Sequence, residues 1–147
     1  MSAYIYFFIR KDKDFIPLVS YSRNSDMYNI ISRTTYMPWE HISNITYDIL
    51  HDWIVAADDE INRTKSEIKK IEKMFELSNS YTLGDAYGYA STIEEYNELI
   101  ERIKGIKVIF DFMKDILDEY EYEVDSNVSD ILYFGMEISN PTTDDII

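Results

Sequence analysis

Residues 53–77 read WIVAADDEINRTKSEIKKIEKMFEL. Trp53, Ala57, Ile61, Thr64, Ile68, Ile71 and Phe75 recur three or four positions apart, which sets them on one stripe of a helix. The stripe runs upstream through Ile49, Ile45 and Ile42, and no Gly or further Pro interrupts it. Pro38 suits a first helical turn, so the spacing predicts one helix from Pro38 to about Leu77, ~60 Å long at ~1.5 Å per residue.

A second stripe follows: Ile93, Tyr96, Ile100, Ile103, Ile106, Phe110, Met113, Leu117 and Tyr120. Ser91 with Glu94, or Thr92 with Glu95, supplies a capping box at its start. Gly105 interrupts it at a cost of about 1 kcal/mol relative to Ala, which predicts either a close backbone approach or a bend. Between the stripes, SNSYTLGDAYGYA carries Gly84 and Gly88 among small and polar residues and reads as a connection. Tyr81, Tyr87 and Tyr89 make it either a recognition loop or a cover for the hairpin tip.

Folded back about this connection, the stripes stay in step. Phe75 faces Ile93, Ile71 faces Tyr96, Ile68 faces Ile100, Ile61 faces Ile106, Ala57 faces Phe110 and Trp53 faces Met113. The same alignment sets Lys73 near Glu94, Lys69 near Glu98, Glu60 near Lys107, Asp52 near Lys114 and Asp118 near Asp48. The rival arrangement pairs the same seams across a dimer.

The ends of the chain read as strands. AYIYFFIR (Ala3–Arg10) and FIPLVSYS (Phe15–Ser22), joined by KDKD, form a β-hairpin pattern, and Pro17 consigns the second strand to an edge. Asn24 or Ser25 caps a short helix through MYNII. ILYFGMEIS (Ile131–Ser139) is a strand able to join the hairpin, and YIYFF supplies two sheet faces, one for the helices and one for a partner or the short helix. Trp39, beside Pro38, reads as a staple between helix start and sheet in preference to a ligand platform. The fold class is therefore α+β, in the order β-β-α-α-α-β. A small antiparallel sheet packs with a long antiparallel two-helix hairpin in a single domain: residues 1–36 hairpin and short helix, 38–121 helical hairpin, 128–140 C-terminal strand.

Composition narrows the function classes. With 147 residues, 46% hydrophobic and 15% aromatic, the chain has the material for one real core despite a net charge of −14. Residues 1–40 hold five bases against four acids, so the negative charge belongs to residues 41–147. Direct binding to nucleic acid or to an anionic membrane is disfavoured, since both need a basic surface. With no Cys, two His and no phosphate-cradling or nucleophile motif, the expectation is a non-enzyme without cofactor or metal. His41, Asp48, His51 and Asp52 are the nearest approach to a metal set. Asp125, Asn127 and Ser129 resemble the start of a calcium loop, but its sixth position is Asp130 and its twelfth Met136. The N-terminus lacks a secretory leader pattern, which makes the cytoplasm (or a virion) the default and the sequons at Asn44, Asn62 and Asn127 accidental.

The most unusual stretch is DILDEYEYEVDSNVSD, residues 115–130, which contains no base. Asp115, Asp118, Glu119, Tyr120, Glu121, Tyr122, Glu123, Asp125 and Asp130 are the candidate partner-binding residues: spaced carboxylates with aromatic neighbours can imitate a phosphate array and occupy a basic groove. The plain alternative is a solvated helix end. The functional expectation is an acidic protein-binding module with a basic protein partner, of the kind phages use to block a basic site on a nucleic-acid-handling protein. The second expectation is a structural or assembly protein that forms homo-oligomers through its helices and sheet edge. The Ile-, Tyr-, Asn- and Asp-rich composition fits an AT-rich genome such as that of many phages.

Overall fold

The strand and helix signals resolve, in the computed structural model, into β1 (Tyr4–Lys11), β2 (Asp14–Ser22), α1 (Asp26–Ile31), β3 (Ser43–Asn44), α2 (Tyr47–Leu77), α3 (Leu83–Val124) and β4 (Leu132–Met136), with a 3-10 turn at Thr143–Asp145. The structure describes residues 4–77, 83–124 and 130–147, without the side chains of 83–87 and 120–124. The sheet runs β2-β1-β4-β3, and every neighbouring pair is antiparallel. With α2 and α3 packed together, this is the α+β arrangement expected from the sequence.

The β1–β2 turn is tighter than KDKD implies, since Lys11 and Asp14 already pair and Asp12 takes the strained φ of 58°. Pro17 does lie in an edge strand, where Phe7 pairs with Val19 and Phe8 with Pro17, so Leu18 is an extra residue that bends β2. Ser25 is the cap of α1, its hydroxyl accepting from the Tyr28 N–H at 3.3 Å.

Both long helices begin elsewhere than their sequence signals suggest. Residues 38–46 do not open α2; they run along β4. The Met136 N–H donates to Pro38 O at 2.8 Å, the Glu40 N–H to Met136 O at 2.9 Å and the Ile45 N–H to Leu132 O at 2.7 Å. The exposed edge of β4 competes for these backbone groups, while Thr46 provides a helix cap to the Ile49 N–H at 3.2 Å. At the other end, α3 starts at Leu83, not at the capping-box residues, so Gly84 and Gly88 are helical. Thr92 sits inside the helix and returns its hydroxyl to Gly88 O at 2.9 Å.

Trp53 is the hub of the main core. It is fully buried, its indole N–H donates to Thr35 Oγ1 at 2.7 Å, and its ring meets Phe7, Phe134 and Phe110 at centroid distances of 6.1, 5.1 and 5.8 Å. Sheet, α1 loop and α3 thus converge on one side chain. The α2–α3 hairpin forms within the chain. Across the seam Trp53 meets Phe110 and Phe75 meets Tyr89, each within about one helical turn of the partner the spacing suggested, and Lys107 pairs with Asp58, not Glu60.

The second face of the sheet is also covered by the chain itself. Phe8, Ile42 and Tyr133 are buried there with Tyr6, Phe15, Ile138 and Ile146 around them. The Ile42 N–H donates to Asp145 O, and the Ile147 N–H to Ile42 O, both at 2.9 Å, which ties the C-terminal residues over this face. The short helix, expected as one possible cover, instead buries Met27, Ile30 and Ile31 in the main core. The loop through His41 passes so close to β4 that only Gly fits at residue 135: a Cβ there would lie 2.2 Å from the His41 carbonyl oxygen.

The sheet and α1 cover only part of the hairpin. No side chain of α2 beyond Thr64, and none described in α3 before Ile100, is buried. The distal arm therefore keeps a half-buried seam of Ile68, Ile71, Phe75, Ile93, Tyr96 and Leu99, with Met74 and Leu77 exposed.

Candidate protein-interaction surface

The C-terminal half of α3 is held against α2 and the sheet by Ile106, Phe110, Met113 and Leu117, all buried. That fixes which face looks outward. Residues 108, 111, 112, 115 and 119 are spaced to share that face, and all are exposed. Among them are two apolar side chains, Val108 at 65% and Phe112 at 50% exposure, set between Asp111, Asp115 and Glu119. Among the described residues these three carboxylates form no ion pair, whereas Lys107 is engaged by Asp58 and Lys104 by Glu101. The surface is an apolar-acidic stripe on a rigid helix.

The structure divides the candidate residues from the sequence. Asp115, Asp118 and Glu119 are exposed on α3. Asp118 accepts the Tyr47 hydroxyl at 2.7 Å, so part of its capacity is spent within the fold. Asp130 is not an unpaired acid: Arg10 of β1 reaches it at 3.5 Å while donating to the Tyr133 hydroxyl at 3.2 Å. Tyr120, Glu121, Tyr122 and Glu123 lie on the helical backbone of α3, with side chains outside the described set, and Asp125 lies outside the described residues. Val108 and Phe112 were not legible as a site, because their significance lies in falling off the α3 seam while remaining uncovered. The usable signal was their departure from the three-and-four spacing.

Other charged constellations lie off the stripe. Glu60, only 12% exposed, is held by both Arg33 and Arg63. Burial alone would raise its pKa, but hydrogen bonds and charge from the two guanidiniums outweigh that and hold the carboxyl below its ordinary range. Burial pushes the Tyr21 hydroxyl pKa upward. His41 lies in the loop over β4, while His51 lines a small cleft on α2 with Asp48 and Lys114; among the described residues no three His, Asp or Glu side chains are placed to hold a metal ion. No helix in the described residues is long and apolar enough to cross a membrane. No family model, curated protein or solved structure matches the chain.

Proposed function

We propose that the protein is a non-catalytic, acidic protein-binding module whose outward α3 stripe occupies a basic site on a partner, the class of partner being a nucleic-acid-handling protein. The observation that supports this reading is the exposure of Val108 and Phe112 among Asp111, Asp115 and Glu119, carboxylates that form no ion pair among the described residues. Apolar contact would supply residence time, and the net charge of −14 would steer encounter, giving fast, salt-sensitive association. Blockade is then steric and electrostatic, as for an inhibitor that imitates a phosphate array.

The test is binding to a panel of purified basic nucleic-acid-binding proteins over a salt series, with wild type beside a triple amide variant, Asp111→Asn, Asp115→Asn and Glu119→Gln. The expected result is a partner whose affinity falls steeply with salt and by at least about tenfold in the variant. Equal binding by the amide variant would sink the mechanism.

A second reading, assembly through the helices, draws on one separate observation: the distal arm leaves its seam half-covered. Packing a second arm against it would make a four-helix arrangement. Sedimentation equilibrium of the wild type and of Met74→Lys with Leu77→Lys decides between them. A salt-resistant oligomer lost in the variant would move assembly ahead of inhibition; a monomer at high concentration would remove it.

A further inference from the structure

Away from α3, one patch reverses the character of the surface. Between the end of α1 and Trp39 lies a cleft of about 540 Å³ lined by Tyr28, Ser32, Arg33, Thr34, Thr35, Tyr36, Met37 and Trp39. None of these residues is acidic, in a chain with 28 acids. Tyr36 is 86% exposed and Trp39 40%.

Arg23 stands beside the cleft with its guanidinium carbon 5.2 Å from the Trp39 ring centroid. Arg10, Arg33, Arg63 and Arg102 each meet a carboxylate; among the described residues Arg23 meets none. Its charge lies on an aromatic face, which leaves the planar N–H fork available to an incoming anion. Arg33, also in the lining, is shared with Glu60 and contributes less free charge.

The platform is pre-formed. Trp39 is bracketed by two backbone hydrogen bonds to Met136, from the Met136 N–H to Pro38 O and from the Glu40 N–H to Met136 O. The next residue, Glu40, is held at φ 59°, a conformation unusual for a side-chain-bearing residue that the two bonds maintain. Within the lining, Thr35 accepts from the buried indole N–H of Trp53. Trp, Tyr and Arg are the side chains enriched among those that carry most binding energy at protein interfaces.

We infer that this cleft is a second docking site, for a short acidic peptide segment of a partner protein in which a carboxylate stands next to an aromatic or aliphatic residue. The carboxylate bonds to the Arg23 guanidinium, and its apolar neighbour lies against Tyr36 and Trp39. A nucleic acid is the less fitting anion, because the −14 net charge repels a long polyanion much more than a short peptide with a few carboxylates. The site is independent of the α3 stripe, which is acidic and takes the opposite charge.

The test follows the Trp39 indole N–H resonance of the full chain while a capped Glu-Phe-Glu-Leu-Glu peptide is added to about 1 mM, the range of weak single-motif binding. The expected result is a saturable shift, weakened by about tenfold or more in Arg23→Ala and in Tyr36→Ala. A Lys-Phe-Lys-Leu-Lys peptide and a thymidine oligonucleotide should produce no saturable shift. Arg23 and Tyr36 lie at the surface, and a far-ultraviolet spectrum matching wild type certifies the variants. No saturable shift with the acidic peptide, undiminished binding by Arg23→Ala, or tighter binding of the oligonucleotide would each overturn the inference.

Discussion

Replacing Gly135 by Ala adds one methyl group at a crowded backbone crossing. The new Cβ would sit 2.2 Å from the His41 carbonyl oxygen, 2.9 Å from the Ile138 side chain and 3.1 Å from that of Ile42. Relief needs a movement of roughly 1 Å, because close-packed interiors have little room to absorb added volume. The loop cannot yield freely, for the Glu40 and Ile42 N–H groups on either side of His41 are bonded to Met136 and Asp145. Overpacking costs about 1–3 kcal/mol, and loss of one backbone hydrogen bond adds about 0.5–1.5 kcal/mol. The expected destabilisation is therefore about 2–4 kcal/mol, or a fall in Tm of roughly 4–16 °C for a domain of this size. Urea unfolding followed by circular dichroism and tryptophan fluorescence reads it as a lower midpoint. The same substitution at Gly105 is the internal control: a Cβ there meets nothing within 4 Å and the residue has no positive φ. Gly105→Ala should stabilise by about 0.5–1 kcal/mol through helix propensity and a less flexible unfolded chain. If Gly135→Ala unfolds within about 0.5 kcal/mol of wild type, the ordinary scatter of surface substitutions, the close approach of the 39–44 loop to β4 is refuted.

Thr35→Val should cost about 1–3 kcal/mol by leaving the buried Trp53 indole N–H without its acceptor, read as a lower denaturation midpoint. The Glu60 carboxyl has a folded pKa below its unfolded value, so the unfolded state binds more protons in the acid range. Its stabilising effect is present at neutral pH and is lost as pH falls from about 4.5 through the lowered pKa. Glu60→Gln should accordingly be less stable than wild type at pH 7, and the gap should narrow towards pH 3 in parallel melts, whereas a constant gap would contradict the ionic reading of Arg33 and Arg63. Ile42→Ala should destabilise by about 2–5 kcal/mol, since the side chain is fully buried under the C-terminal residues; hydrogen exchange should show earlier opening at Ile147, whose N–H is bonded to Ile42 O.

Much of the architecture is a local property and was legible as such. Three-and-four spacing in residues 53–77 and 93–120 is set by helix geometry, and complementary stripes of nearly equal length leave an antiparallel hairpin as the natural way to bury both. Strand alternation, the position of Pro17 and the Ser25 cap depend on residues within a few positions of one another, so the edge strand and the short helix could be read directly. The base-free run of acids from Asp115 was legible from composition, because charge is counted before any fold is known.

What the tertiary structure decided depends on groups far apart in the chain. Ile42 and Ile45 fit the helical stripe, yet the open edge of β4 claimed the backbone of residues 38–46 and sent the two side chains to separate clusters. The absence of room for a side chain at Gly135 exists only because the His41 carbonyl is folded onto it. Asp130 lost its place among the unpaired acids to Arg10, 120 residues away in sequence, across the β1–β4 side of the sheet. Val108, Phe112 and Trp39 became candidate contact residues only once the sheet, α1 and the C-terminal residues had covered other surfaces. Periodicity records which side chains can be buried together; which of them remain exposed is set by where distant elements stop covering, and that boundary is a property of the assembled fold.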